Sequence, residues 1–204
     1  MPSMLHPRID PSARALIFDC DGTLADSMHL HWQAWHSTFA FYDTSCPQDF
    51  LDIRAGMPTD LIVAQFNQHF SQTLALAEFV ARKEETAFSL LDQVKPIEPV
   101  VSIAHAAYAH LPMAVVSGGN RADVEKTLSR LKILQLFSVV ITADDGLPPK
   151  PSPQIFLEAA RLLGDIPASH CQVYEDAPPG LHGARDAGMI VSDVRGFSGY
   201  PGGE

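Results

Sequence analysis

Four short, largely apolar runs punctuate the chain, and each breaks off at polar residues. Ala15–Phe18 stops at Asp19, Met113–Val116 at Ser117-Gly118-Gly119, Val139–Thr142 at Ala143-Asp144-Asp145-Gly146, and Gln172–Tyr174 at Glu175-Asp176. Runs this short, without polar alternation, predict strands buried on both faces. Between the later runs the apolar positions recur at helical spacing: Val124, Leu128 and Leu131, then Ile155, Ala159 and Leu162, then Leu181, Ala184 and Ala187 before Gly188. Ser152-Pro153 predicts a helix start, a hydroxyl cap followed by a proline in the first turn. Strands alternating with helices from about residue 97 onward predict right-handed βαβ units, hence an α/β fold with a parallel sheet covered on both faces. In such sheets ligands bind beyond the carboxyl ends of the strands, where this chain places its polar residues.

Residues 28–95 follow another pattern. No strand-like run occurs there, while Trp32, Trp35 and Phe39, then Leu61, Ile62 and Phe66, then Phe79, Phe88 and Leu91 recur at helical spacing over roughly four segments. The expected organisation is an α/β core of residues 1–27 and 96–204 with an inserted α-helical cap of residues 28–95 over the strand ends. Residues 1–13, rich in Pro and Ser, read as a loose arm, and the Gly/Pro-rich tail after Arg195 as frayed.

Composition narrows the function classes. Of 204 residues 46% are hydrophobic, and 24 acidic against 14 basic side chains leave a formal net charge of −10. That excess argues against nucleic acid or an anionic membrane as the main partner, since both attract Lys and Arg. It also sets a problem for any phosphorylated substrate, which the molecule as a whole repels. No apolar run approaches the length of a membrane span, and Pro2, Pro7 and Pro11 interrupt the N-terminus where a signal peptide needs an unbroken apolar stretch, so a cytoplasmic location is expected. Cys20, Cys46 and Cys171 are odd in number and lack CxxC spacing, which suggests neither a disulfide framework nor a zinc knuckle.

The most pointed chemistry is Asp19-Cys20-Asp21-Gly22-Thr23, directly after the first strand. Residues two apart in extended chain project to one side, so both carboxylates leave the strand together, and two such anions need a cation or a shared proton. Asp-Gly is also ordinary turn chemistry, and a polar turn stays open on these five residues alone. Taken singly, Ser117 could be a helix cap, Lys150 a solvated lysine and Glu175-Asp176 a loop. In order at successive strand ends they form one constellation.

That constellation resembles the haloacid dehalogenase (HAD) superfamily of phosphotransferases, within it the β-phosphoglucomutase-like group with an α-helical cap, and there its fructose-1-phosphatase-type sugar phosphatases. The motifs are Asp19-Cys20-Asp21-Gly22-Thr23, Ser117, Lys150 and Glu175-Asp176, in family order, over about residues 13–194. The resemblance implies a Rossmann-like, HAD-like core and a Mg²⁺-dependent phosphatase acting on small sugar phosphates. It implies Asp19 as a nucleophile forming an aspartyl phosphate, and Asp21 as general acid and base, its pKa raised by its anionic neighbour. Mg²⁺ would be held by Asp19, the backbone carbonyl of Asp21, Asp176, and Glu175 directly or through water. Thr23, Ser117 and the amides of Gly118, Gly119, Asn120 and Arg121 would face the phosphate, and Lys150 would offset charge on it and on Asp19.

Within the cap, His31 matches a histidine near the mutase active site, with an ordinary helix histidine as the alternative. His29 and His36 share no helical face with it, so a histidine metal site is not expected. Arg54 to Thr59 matches the mutase specificity loop, its glycine being Gly56. Where the mutase carries an arginine that clamps a second phosphate, this chain has Thr59, and a neutral hydroxyl cannot replace a bidentate guanidinium. That departure favours hydrolysis over the alternative, a β-phosphoglucomutase-type isomerase interconverting hexose 1- and 6-phosphates. Lys83 matches a cap lysine that reaches the substrate, an exposed helix lysine being the alternative. No cysteine has an arginine six positions on, and GxSxG, HExxH and GxxxxGK are missing, which removes other hydrolytic and nucleotide-binding chemistries. A non-catalytic receiver, phosphorylated on Asp19 as a signal, would have another motif order and no cap. A monomer is expected.

Overall fold

A computed structural model describes residues 8–55 and 57–201. Five parallel strands form one sheet in the order β5-β4-β1-β6-β7, from Ala15–Phe18 (β1), Met113–Val116 (β4), Val139–Ile141 (β5), Cys171–Glu175 (β6) and Ile190–Asp193 (β7). The chain runs from β1 outward to β4 and β5, then returns across β1 to β6 and β7, so the order reverses beside β1. A crevice opens at such a reversal, beyond the strand ends. The edge strand β7 was not expected: Ile190–Asp193 is half-buried and mixed in polarity, as an edge position permits.

The alternation within each strand builds two cores. Leu16, Phe18, Met113, Val115 and Tyr174 face one side, where they meet helices α5 (Glu98–Ala107) and α6 (Arg121–Arg130). Ala15, Ile17, Ala114, Val116 and Val173 face the other, against α7 (Gln154–Leu162) and α8 (Pro178–Asp186). Burial on both faces explains why these strands read as unbroken apolar runs. Leu162, expected on the inner face of α7, is instead 46% exposed at its last position, where the helix runs past the sheet. The start of α7 is one residue late: Pro153 occupies the cap position, and Ser152 Oγ accepts the Gln154 N–H at 3.3 Å.

Among the described residues, four α-helices lie between β1 and α5: α1 (Met28–Phe41), α2 (Gln48–Asp52), α3 (Thr59–His69) and α4 (Leu76–Leu90). They carry their own core of Trp35, Phe39, Phe50, Ile62, Phe66 and Phe79. Phe39 sits 4.6 Å from Phe66 and 4.8 Å from Phe79, ring centroid to centroid. Leu61 and Phe88, placed by periodicity with these residues, are 37% and 41% exposed and belong to the outer faces. The two connections to this helical unit pair with each other, Ala25–Asp26 (β2) antiparallel to Lys95–Pro96 (β3).

Both ends of the described chain are better anchored than their composition suggests. The Asp10 N–H donates to Gln172 Oε1 at 2.8 Å and the Tyr174 hydroxyl to the Arg8 carbonyl at 3.0 Å, so residues 8–13 of the expected loose arm lie fastened to β6, while residues 1–7 are outside the described residues. At the other end Phe197 is buried in the α5/α6 core, and the Tyr200 hydroxyl donates to the Gly22 carbonyl at 2.8 Å. Described residues of the tail are therefore packed and not frayed, because aromatic side chains interrupt its glycines.

Candidate active site

The ends of β1, β4 and β6 surround a cavity of about 480 Å³ whose far wall is made by the four-helix unit. At its floor the buried Lys150 ammonium donates to Asp19 Oδ1 at 2.5 Å and to Glu175 Oε1 at 2.7 Å. Asp19, Glu175 and Asp176 bring one carboxylate oxygen each within 4.8 Å of one another. Burial drives the Asp19 carboxyl well above its ordinary range, with Glu175 and Asp176 adding to this and Lys150 opposing it. Burial and Glu175 likewise push Asp176 up to about 7. One ammonium among three carboxylates leaves excess negative charge, and an all-oxygen donor set of this kind fits a hard divalent cation. Glu175 is already engaged by Lys150 and, through Oε2, by the Ala177 N–H at 2.6 Å. Its closeness to Gly180, where an added Cβ would lie 1.6 Å from Oε1, explains a glycine inside α8.

Asp21 differs from expectation. After Asp19 the backbone turns, the Cys20 carbonyl accepting the N–H groups of Leu24 and Ala25 at 2.9 Å each, which sends Asp21 toward the helical unit. Its Oδ1 accepts from Ser27 Oγ at 2.5 Å and lies 3.1 Å from His31 Nε2. Burial alone would raise this carboxyl, but the charge and hydrogen bond of His31, the Ser27 hydroxyl and Lys83 lower it to about 2. The expectation of a raised pKa is corrected: His31, ten residues on, with Ser27 and Lys83, outweighs the effect of burial. Asp21 Oδ2 stays on the cavity side, where a Cβ added to Gly119 would sit 3.8 Å from it.

Ser117, Gly118, Gly119 and Asn120 line the cavity between β4 and α6. Ser117 Oγ accepts the Gly119 N–H at 3.0 Å, and Asn120 caps α6 by accepting the Asp123 N–H at 2.9 Å. The Arg121 amide, expected to face the same site, donates instead to Asp144 Oδ2 at 2.9 Å and is spent. Thr23 is also corrected. It is fully buried, does not line the cavity, and donates to Asp176 Oδ1 at 2.8 Å, so its side chain orients a carboxylate.

The helical wall brings His31, Thr59 and Lys83 to the cavity; Gly56 lies outside the described residues. Lys83 is 5% exposed, so the exposed-lysine reading is overturned. His29 lies 3.6 Å from Asp26 and His36 2.9 Å from Gln48, so the three histidines do not converge. Sequence reasoning missed Ser27, Glu84 and Asp123. Glu84 Oε1 accepts from Thr59 Oγ1 and lies 3.2 Å from Lys83 Nζ, while Oε2 accepts from Asn120 Nδ2 at 3.0 Å. Burial and the neighbouring Glu84 push Asp123 up to about 7. The one signal in the sequence was that Glu84 adjoins Lys83.

Comparison with known proteins agrees with this geometry. The haloacid dehalogenase-like hydrolase family matches residues 16–194. A fructose-1-phosphate phosphatase of Escherichia coli, YqaB, is 35% identical over 183 residues, 88% of this chain and 95% of that protein. A validoxylamine A 7'-phosphate phosphatase of Streptomyces hygroscopicus is 31% identical over 183 residues, 87% of this chain and 83% of its own length. Among solved structures, CbbY of Rhodobacter sphaeroides with bound phosphate superposes with a TM-score of 0.77 at 25% identity, covering 94% of this chain and 92% of that one. A β-phosphoglucomutase of Clostridium difficile gives 0.78 at 20% identity, covering 88% and 83%, a likeness of fold. With the family matched across nearly the whole chain and its strand-end carboxylates and lysine gathered at one cavity, the chain belongs to the haloacid dehalogenase-like hydrolases.

Proposed function

We propose that this hydrolase is a Mg²⁺-dependent phosphatase of small sugar phosphates, working through a phosphorylated Asp19. The observation that carries the reading is the meeting of Asp19, Lys150, Glu175 and Asp176 on the floor of a cavity large enough for a sugar. Asp19, Asp176 and the Asp21 carbonyl, with Glu175 close behind, would hold Mg²⁺, which when bound would offset negative charge shared by these carboxylates and a phosphate. The helical unit of residues 28–95 would serve as the cap that encloses the alcohol part of the substrate.

Asp19 attacks phosphorus, and a bond from its oxygen forms as the ester P–O bond breaks. Lys150 orients Asp19 and opposes the burial that favours its protonated form, and Ser117 with the Gly118–Asn120 segment receives the phosphoryl oxygens. Asp21, once it has taken a proton from solvent on substrate binding, passes it to the leaving alcohol and then takes one from the water that releases inorganic phosphate and restores Asp19. Ser27 and His31 hold Asp21 by Oδ1, which leaves Oδ2 free for both transfers. An arriving phosphate dianion raises the proton affinity of Asp21 from its low resting value.

Phosphate release measured over a panel of sugar phosphates, as kcat/KM ratios, tests the reading. Asp19→Asn abolishes release with the fold intact by circular dichroism, and EDTA abolishes it reversibly. Release that survives either treatment rejects the mechanism.

A further inference from the structure

A second phosphate binds most strongly where a free cation receives it. Among the described residues the cavity is lined by two ammonium groups, Lys83 and Lys150. Lys150 is held by Asp19 and Glu175. Lys83 lies 3.2 Å from Glu84 Oε1 and 3.4 Å from Thr59 Oγ1, and Arg121 beside the cavity turns its guanidinium outward to Asp145 at 2.7 Å. Away from the metal cluster the walls add Asp60, Glu84, Asp123 and Asp144. Glu84 also joins the two halves of the site, because Asn120, whose Nδ2 it engages, belongs to the segment that follows β4.

We propose that Glu84 is a specificity-determining residue: by neutralising Lys83 and presenting a carboxylate to the cap side of the cavity, it restricts the enzyme to phosphate esters whose remaining part is uncharged and hydroxyl-bearing. This deepens the phosphatase reading and rests on it. A carboxylate accepts hydrogen bonds from hydroxyl groups, and Asn120 and Thr59 beside it add amide and hydroxyl partners. A second phosphate or a carboxylate meets Glu84 against the cavity wall, where like charges repel more strongly than in bulk water. The raised Asp123 carboxyl fits this picture, since the Glu84–Asp123 pair already resists a second full negative charge.

The test compares fructose 1-phosphate with fructose 1,6-bisphosphate, probes that differ in one phosphate. Wild-type enzyme is expected to favour the monophosphate at least about tenfold in kcat/KM. Glu84→Gln keeps the shape and an acceptor for Asn120, frees Lys83, and is expected to shift the ratio at least about tenfold toward the bisphosphate. Glu85→Gln, the same charge change on an exposed neighbour, is expected to leave the ratio unmoved. Equal use of both probes by wild type, an unmoved ratio in Glu84→Gln, or the same shift in Glu85→Gln overturns the proposal. Calorimetric binding of both probes to Asp19→Asn, with and without Glu84→Gln, reads the selectivity without turnover. Absence of phosphate release by wild type would thus reject the phosphatase reading separately, while unselective binding would reject the role of Glu84.

Discussion

Lys150 Nζ lies 2.5 Å from Asp19 Oδ1, an ion pair buried at the end of the central strand. Burial works against the charged lysine, but Asp19 and Glu175 outweigh it and hold its pKa above the ordinary value. Removing the ammonium leaves three buried carboxylates without their cation. Lys150→Met is expected to lose stability on the order of 3–5 kcal/mol in the absence of metal. Added Mg²⁺ should recover part of that loss, and phosphate release should fall at least about 100-fold. Thermal melts with and without Mg²⁺ check the first point; an unchanged melt refutes it.

Gly22 has φ of +88°, and a Cβ there would lie 2.3 Å from Asp176 Oδ2. Gly22→Ala therefore strains the backbone by about 1–2 kcal/mol and drives Asp176 from its place. The expected result is a lowered melting temperature together with loss of the melting-temperature gain produced by Mg²⁺. A variant that keeps the full Mg²⁺ response would show that Asp176 holds no metal.

His31 Nε2 stands 3.1 Å from Asp21 Oδ1 and is proposed to position the proton carrier. His31→Gln should lower kcat on sugar phosphates by about 10–100-fold, a part of what general acid–base catalysis contributes. p-Nitrophenyl phosphate has a leaving group that departs without a proton, so its kcat should fall much less. Equal losses on both substrates would assign His31 a structural role.

The Asp123 carboxyl is raised from 3.8 to about 7 by burial and by Glu84. An acid whose folded pKa lies above its unfolded value binds its proton more tightly in the folded state. Its stabilising contribution is present below about pH 4 and is lost as pH rises toward 7. Asp123→Asn, which mimics the protonated form, should flatten the decline in melting temperature between pH 5 and pH 8 relative to wild type. Parallel pH profiles for the two proteins would exclude this group as a source.

Much of the architecture was legible in the chain because burial on both faces writes itself as unbroken apolar runs, as at Ala15–Phe18 and Met113–Val116. The edge strand Ile190–Asp193 left no such trace, since an edge tolerates polar positions. Likewise Leu61 and Phe88 obeyed a helical period yet face outward, because periodicity states a spacing and not which neighbour will cover it. At the site, Asp19, Ser117, Lys150 and Glu175-Asp176 were legible from their place after strands. The partners of Asp21 and Thr23 were not, since turning the chain at Cys20 decided where those side chains point.

By itself the sequence determined a parallel α/β core, a helical insertion after the first strand and a set of carboxylates and one lysine at the strand ends. It also raised the question of how a chain with net charge −10 could accept a phosphate. Tertiary structure decided the charge states and the roles that follow from them. His31 makes Asp21 the more acidic carboxyl, Thr23 steadies Asp176, and Glu84 silences Lys83 while reaching Asn120 across the cavity. The reason is physical: residue identity fixes which groups can ionise, but burial and the distance to opposite charge fix whether they do, and at Lys150 and Asp19 that distance joins residues 131 apart in the chain.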